Sequence, residues 1–188
     1  EPFRAPIHAA TLCVEPRRIP AAMFRFIGVE AELVYRMAAD LPPRAAPYSR
    51  EETLAAVASL HPAIEIVDTR FAKWDSQPAP AHRADQANHG ALIVGPALRD
   101  WRGVDAPRQR ARLIIDDAVV SDVIGGNSAV DPVRLLVWLA NVGARAQGGL
   151  KAGDHVTTGS CSGTVFVTAP TRVAAEFPGV GRLDLTID

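Results

Sequence analysis

Val29-Glu30-Ala31-Glu32-Leu33 and, further along, Ile64-Glu65-Ile66-Val67-Asp68-Thr69-Arg70 decide how this chain folds. In both stretches aliphatic and β-branched residues alternate with other types, which is the period of a strand. Side chains two apart on a strand share a face. Glu30 and Glu32 therefore point one way, and Val29, Ala31, Leu33 and Tyr35 the other. Asp68 shares the face of Ile64 and Ile66 and is expected to turn towards an apolar interior, with Glu65 facing away from it. Adjacent carboxylates repel, and burying them is costly unless something positive lies between them. The commoner setting for a Glu-x-Glu pair is a hydrated strand face, and Arg36 and Arg70 are near enough in sequence to neutralise this one. The sharper reading is a hard divalent cation held by Glu30, Glu32 and Asp68, a set with neither His nor Cys.

The motifs Gly28-Val29-Glu30-Ala31-Glu32-Leu33 and Ala63-Ile64-Glu65-Ile66-Val67-Asp68-Thr69-Arg70, with Trp74 after them, are followed by two more. These are Val137-Trp138-Leu139-Ala140-Asn141, and Leu150-Lys151-Ala152-Gly153-Asp154 with Thr158-Gly159-Ser160. In order and approximate spacing they resemble the fumarylacetoacetate hydrolase superfamily, in its 2-keto-4-pentenoate hydratase and 4-oxalocrotonate decarboxylase branch. The similarity covers nearly the whole chain. It implies that Glu30, Glu32 and Asp68 hold Mg²⁺ or Mn²⁺, and that Gly159 and Ser160 contact a substrate carboxylate or carbonyl. The family's Asp-Asn-Ala-Ser-Ser-Gly stretch stands here as Asp85-Gln86-Ala87-Asn88-His89-Gly90, which makes Asn88 and His89 candidate pocket groups. Family members also carry a Gly-x-Lys-x-Gly motif nearer the N-terminus. This chain opens at Glu1, without an initiator Met, about where that segment ends, so the expectation is a fragment, a processed form or a homologue without the lysine.

Composition bounds the rest. The 188 residues suit a single domain, 1–188, with an ordinary core. Hydrophobic residues make up 48% and charged residues 22%, as in soluble globular domains. A net charge of −1 gives no reason to expect nucleic acid or an anionic membrane as partner. No apolar run approaches the length of about 20 residues that a membrane span needs. Cys13 and Cys161 form neither a disulfide framework nor a metal-finger spacing, which points to a reduced, cytoplasmic protein.

Along the chain, Ile7–Val14 reads as a strand. Ser49-Arg50-Glu51-Glu52 has the form of a capping box and opens a helix expected to run through Leu60, burying Leu54, Val57 and Ala58 until His61-Pro62 ends it. Phe71 to Gly90 is irregular, and a solvated loop is the commoner fate of its histidines, His82 and His89. Ala91–Val94 is a strand. Ala111–Ile115 and Ala118–Val120 flank Asp116-Asp117 as a hairpin. Asp131-Pro132 starts the clearest helix, with Leu135, Leu136, Leu139 and Val142 as its buried stripe and Gly148-Gly149 as its end. His155–Ser160, Thr164–Thr168 and Arg182–Ile187 are further strands. Ser160 lies in no Gly-x-Ser-x-Gly elbow, so a nucleophilic role is not expected.

Strands outnumber helices, so the expected fold is a β-rich α+β domain: a mixed β-roll or sandwich with two main helices, the fumarylacetoacetase C-terminal type that the resemblance also implies. The activity implied is metal-dependent hydration of a 2-keto-4-enoate or 2-hydroxydienoate in aromatic catabolism. The alternatives on the same scaffold are decarboxylation of a 2-keto diacid, C–C hydrolysis, or an inactive homologue acting as a binding subunit. The partners implied are a small 2-keto acid, further copies of the chain in a homo-oligomer, and a related decarboxylase.

Overall fold

The computed structural model describes residues 2–74 and 76–188; Glu1 and Asp75 lie outside the description. Eleven strands, among the described residues, run in chain order as β1 (Leu12–Val14), β2 (Arg18–Ile19), β3 (Gly28–Met37), β4 (Val57–Val67), β5 (His89–Val94), β6 (Arg110–Ile115), β7 (Ala118–Ile124), β8 (His155–Ser160), β9 (Val165–Phe166), β10 (Thr171–Phe177) and β11 (Gly181–Ile187). Three short α-helices accompany them, α1 (Arg50–Ala55), α2 (Ala79–Ala84) and α3 (Pro132–Trp138).

The strands form two sheets. The first follows β1-β5-β4-β3-β8, with β9 also on β3, and the second follows β2-β11-β10-β6-β7. Alternation along β3 and β4 faces Val29, Ala31, Leu33, Tyr35, Ile64 and Ile66 towards Leu113, Val173, Ala175, Phe177 and Leu185 of the second sheet, forming the core. The opposite face of the first sheet carries a smaller apolar patch, Val34, Ala63, Leu92 and Val94, covered by Ile7 and Leu12 of the N-terminal segment. The Asp116-Asp117 hairpin forms as expected, both residues taking positive φ as a primed turn requires.

Several elements depart from the sequence reading. The capping box is present, with Ser49 Oγ accepting from Glu52 N and Glu52 Oε2 accepting from Ser49 N. Its helix nevertheless stops at Ala55, and Val57 to Val67 is one long strand through His61-Pro62. Pro62 is tolerated inside the sheet because its polar backbone edge faces β5 where β5 is ending. Its carbonyl accepts from Gly95 N at 2.8 Å, so the absent N–H removes no bond to β3. Strands β2 and β10 carry no signal that the sequence reading picks out, and the strand expected over Ile7–Val14 is a 3₁₀ turn followed by β1.

Helix α3 widens into a π-turn at Leu139–Gly143. The extra residue in that turn rotates the positions after it, leaving Val142 59% exposed rather than in the buried stripe, while Ala140 faces inward. Asn141 works like a piece of backbone here: its Oδ1 accepts from Tyr48 N at 2.7 Å and its Nδ2 donates to Tyr48 O at 3.0 Å, tying the loop before α1 to this helix. Asn141→Ala removes both bonds from a half-buried site and should lower unfolding free energy by about 2 kcal/mol in chemical denaturation, with metal affinity unchanged.

Candidate metal centre and active-site cleft

The antiparallel register of β3 and β4 sets Glu30 directly opposite Glu65, with Glu32 opposite Ala63 on the same face. Glu30, Glu32 and Glu65 each offer an oxygen lying within 4.8 Å of the others. Glu32 is fully buried. The Thr157 hydroxyl on β8 donates to Glu32 Oε2, and the Thr164 hydroxyl donates to Glu30 Oε1. Glu32 Oε1 is buried with no partner.

Asp68 is not brought into this group. It follows the end of β4, and its carboxylate accepts three backbone N–H bonds, from Phe26 at 2.9 Å, Arg25 at 3.0 Å and Thr69 at 2.8 Å. It fastens the entry to β3. The sequence pattern contains the better choice: the alternation that sends Ile64 and Ile66 into the core with Val29 and Ala31 sends Glu65 to the side of Glu30 and Glu32. Arg70 does not neutralise the cluster, because it pairs with Asp85 at 3.2 Å. Arg36 lies exposed towards the far end of β3, opposite Ser59 and His155.

His89 opens β5 and is 2% exposed, not a solvated loop residue. Its Nδ1 lies 2.7 Å from Glu65 Oε1 and its Nε2 lies 3.0 Å from Thr11 Oγ1. Thr11 Oγ1 donates to His8 O at 3.1 Å and so accepts from His89. With the ring proton on Nε2, the Nδ1 lone pair faces Glu65, which then donates as a carboxylic acid. Burial, followed by the charge of Glu30, pushes Glu65 up to about 8. Burial and the charges of Glu65 and Glu30 hold Glu32 well above the usual carboxylate range. Burial and then Arg70 push His89 down to about 4.

The turn leading into His89 is unusual. Gln86, Ala87 and Asn88 have φ of 54°, 58° and 65°, three successive non-glycine residues in the left-handed region, each strained by about 1 kcal/mol. Asp85, buried, holds the turn by accepting from Thr69 Oγ1 at 2.5 Å and from Arg70.

A cleft of about 900 Å³ is lined by Glu65, His89, Thr157 and Gly159, with the N-terminal segment on one side and α3 on the other. Of the pocket residues expected from sequence, His89 and Gly159 line it. Asn88 and Ser160 are not part of that lining, and Ser160 Oγ accepts from Gly163 N at 3.0 Å. Asn127 fixes this end of β8 by donating to Thr158 O at 2.9 Å and Gly159 O at 3.2 Å. The neighbouring Gly126 is required, since a Cβ there would lie 2.2 Å from Cys161 O.

The donor set fits a hard divalent cation. It consists of oxygens alone, three carboxylates converge, and one buried oxygen lacks any protein partner. Glu30, Glu32 and Glu65 would be the residues holding it. In the metal-free protein the same set makes stability depend on pH. Above about 6.5 the unfolded chain has lost its Glu65 proton while the folded chain keeps it up to about 8, so the unfolded state binds fewer protons and stability falls as pH rises. Below 6.5 the neutral, buried His89 acts in the opposite sense, because unfolding lets it take a proton. Metal-free protein should therefore lose about 2 kcal/mol between pH 6.5 and 8 in urea titrations, and saturating Mg²⁺ should remove that loss.

Comparison with known proteins agrees with this architecture. The family model for the fumarylacetoacetate (FAA) hydrolase C-terminal region matches residues 3–188. A 2-keto-4-pentenoate hydratase of Burkholderia vietnamiensis is 30% identical over 158 residues, 84% of this chain and 59% of that protein. A 4-oxalocrotonate decarboxylase of a Pseudomonas species is 26% identical over 160 residues, again 84% and 59%. The chain thus spans somewhat under two thirds of the length of the curated relatives it matches. Among solved structures, 4-oxalocrotonate decarboxylase from Pseudomonas putida G7, complexed with magnesium and adipate, superposes with a TM-score of 0.82 at 19% identity, over 95% of this chain and 67% of that one. Two packed sheets, the carboxylates on their outer face and a match along almost the whole sequence lead to one statement: the chain belongs to the fumarylacetoacetate hydrolase family.

Proposed function

We propose that this protein is a divalent-metal-dependent hydratase that adds water to a 2-keto-4-enoate, or its 2-hydroxydienoate form, in the breakdown of aromatic compounds. The observation that carries the reading is the convergence of Glu30, Glu32 and Glu65 beside a cleft of substrate size, with Glu32 Oε1 lacking a partner. The curated relatives named 2-keto-4-pentenoate hydratase support it.

When bound, Mg²⁺ or Mn²⁺ supplies Lewis acidity to the keto and carboxylate oxygens of the substrate. The residues of the chain supply the rest. Thr157 and Thr164 orient Glu32 and Glu30 through their hydroxyls. His89, itself held by Thr11, orients Glu65. The full burial of Glu32 strengthens the charge interactions at its carboxylate and keeps bulk water from it. Gly159 exposes backbone where the cleft passes the end of β8. The same reading includes a cytoplasmic setting, assembly as a homo-oligomer and association with a related decarboxylase, as the family resemblance implies.

Calorimetric titration with Mg²⁺, alone and with oxalate as a mimic of the keto-acid enolate, tests the site. Wild type should bind Mg²⁺ more tightly with oxalate present. Glu65→Gln should abolish the binding, whereas Asp68→Asn should keep it and lose about 1–2 kcal/mol of stability through its backbone bonds. Metal bound through Asp68 but not Glu65 would overturn the ligand assignment. Release of CO₂ without water addition from an unsaturated 2-keto diacid, whose distal carboxylate leaves its electron pair in the conjugated enolate, would replace hydration by decarboxylation.

A further inference from the structure

The cleft is larger than the metal-side chemistry requires, and it wraps around the free edge of the first sheet. Successive residues on β8 point to opposite faces: Thr157 turns to Glu32, and Thr158 turns to the side of α3. Both line the same cleft. Between the two faces the rim is Gly159, which is exposed and has nothing within 4 Å of where a Cβ would stand. A ligand anchored at the carboxylates can therefore cross the strand edge at this point and reach the α3 side.

That side holds polar groups with nothing to bind. Thr158 is 5% exposed and its hydroxyl has no hydrogen-bond partner. A buried hydroxyl without a partner costs about 1–3 kcal/mol, and it belongs to a residue that lines the cleft. Arg134, in the first turn of α3, lines the same space. The nearby Asp131 is occupied, since it caps α3 through Val133 N at 3.0 Å and pairs with Arg50 at 2.6 Å. The Arg134 guanidinium makes no ion pair among the described residues. The cleft walls beside it are apolar, Leu135 and Trp138, so an anion there would meet a cation in partly excluded water. Arg4 also borders the cleft, but from the N-terminal segment. Arg134 sits instead on a helix packed against β8, whose carbonyls at Thr158 and Gly159 are pinned by Asn127.

We infer that Arg134 and Thr158 form a second anion subsite, across Gly159 from the carboxylate cluster, which receives the distal carboxylate of the substrate. The preferred substrates are then 2-keto dicarboxylates rather than the 2-keto monocarboxylate from which the hydratase relatives take their name. This rests on the keto-acid reading of the metal centre and deepens it.

The test uses the Mg²⁺-loaded chain and two six-carbon 2-keto acids matched in length, 2-oxoadipate and 2-oxohexanoate, with oxalate as a probe of the metal side alone. Calorimetry should show wild type binding 2-oxoadipate at least about tenfold more tightly than 2-oxohexanoate, the worth of one charge-assisted contact. Arg134→Leu, at an exposed position, should remove that preference while leaving oxalate and 2-oxohexanoate within about twofold of wild type. Thr158→Val should weaken 2-oxoadipate a few-fold and leave oxalate unchanged. Equal binding of the two keto acids by wild type, or a preference lost in Arg4→Leu and kept in Arg134→Leu, overturns the subsite. If oxalate and both keto acids fail to bind, the metal-centre reading falls and takes the subsite with it, an outcome distinct from the loss of preference alone.

Discussion

Three carboxylates sharing one side of a paired strand surface cannot all be charged without a counter-charge, and the surrounding structure is arranged about that constraint. The pairing of Glu30 with Glu65 is dictated by the hydrophobic pattern on the other face. A slip of one residue would expose Val29, Ala31, Ile64 and Ile66 and bury the acids against the second sheet. Core formation and assembly of the acidic cluster are therefore the same event. The repulsion it brings raises the proton affinity of Glu32 and Glu65, and it is met by hydroxyl donors from Thr157 and Thr164 and by the imidazole of His89 against Glu65. None of these satisfies Glu32 Oε1.

The two sheets divide the labour. The outer face of the second sheet carries a ribbon of exposed or half-exposed ion pairs, Asp184 to Arg182 to Glu176 to Arg112 to Asp122 to Arg110, joining four strands. Each such pair contributes little by itself, and nothing there converges on a buried point. The first sheet is the reverse, with few charges, deeply placed and incompletely paired. Of the buried polar side-chain atoms without a partner among the described residues, Glu32 Oε1 and Thr158 Oγ1 lie beside the cleft, while Tyr35 Oη and Trp101 Nε1 lie in the main core.

Legibility in the sequence depends on whether a signal is local. The strands β3, β5, β6, β7 and β8 and the Asp116-Asp117 turn are legible because alternation and turn chemistry act over a few residues. The β-rich two-layer fold comes from them and from the family resemblance. Strand β4 is partly hidden, since a capping box and His61-Pro62 both argue for a helix that ends there. Only the tertiary position of Pro62, facing the point where β5 stops, shows why a proline is harmless. Val142 is misplaced by periodicity because a π-turn has no periodic signature. For the site, Glu30 and Glu32 are visible as a pair, but the third acid requires the register between strands. The family motif points to Asp68, whereas the face of the strand favours Glu65.

The strained turn before β5 shows why His89, a pocket candidate through the family stretch, cannot be placed against Glu65 from strand or turn patterns. No sequence rule selects three successive left-handed residues from Gln86-Ala87-Asn88, since any such rule would place glycine there. The conformation exists because Asp85 grips Thr69 and Arg70 on one side, and because His89 is drawn into the sheet by pairing with Val67 and bonding to Glu65 on the other. Strain of a few kcal/mol is a substantial fraction of the stability of a domain, so it persists only where the flanking contacts fix both ends. Here those contacts include the carboxylate cluster itself. The turn positions His89 against Glu65, and Glu65 in turn helps to hold the turn. Loss of either should therefore be felt at both, which couples the loop to the carboxylate cluster through His89.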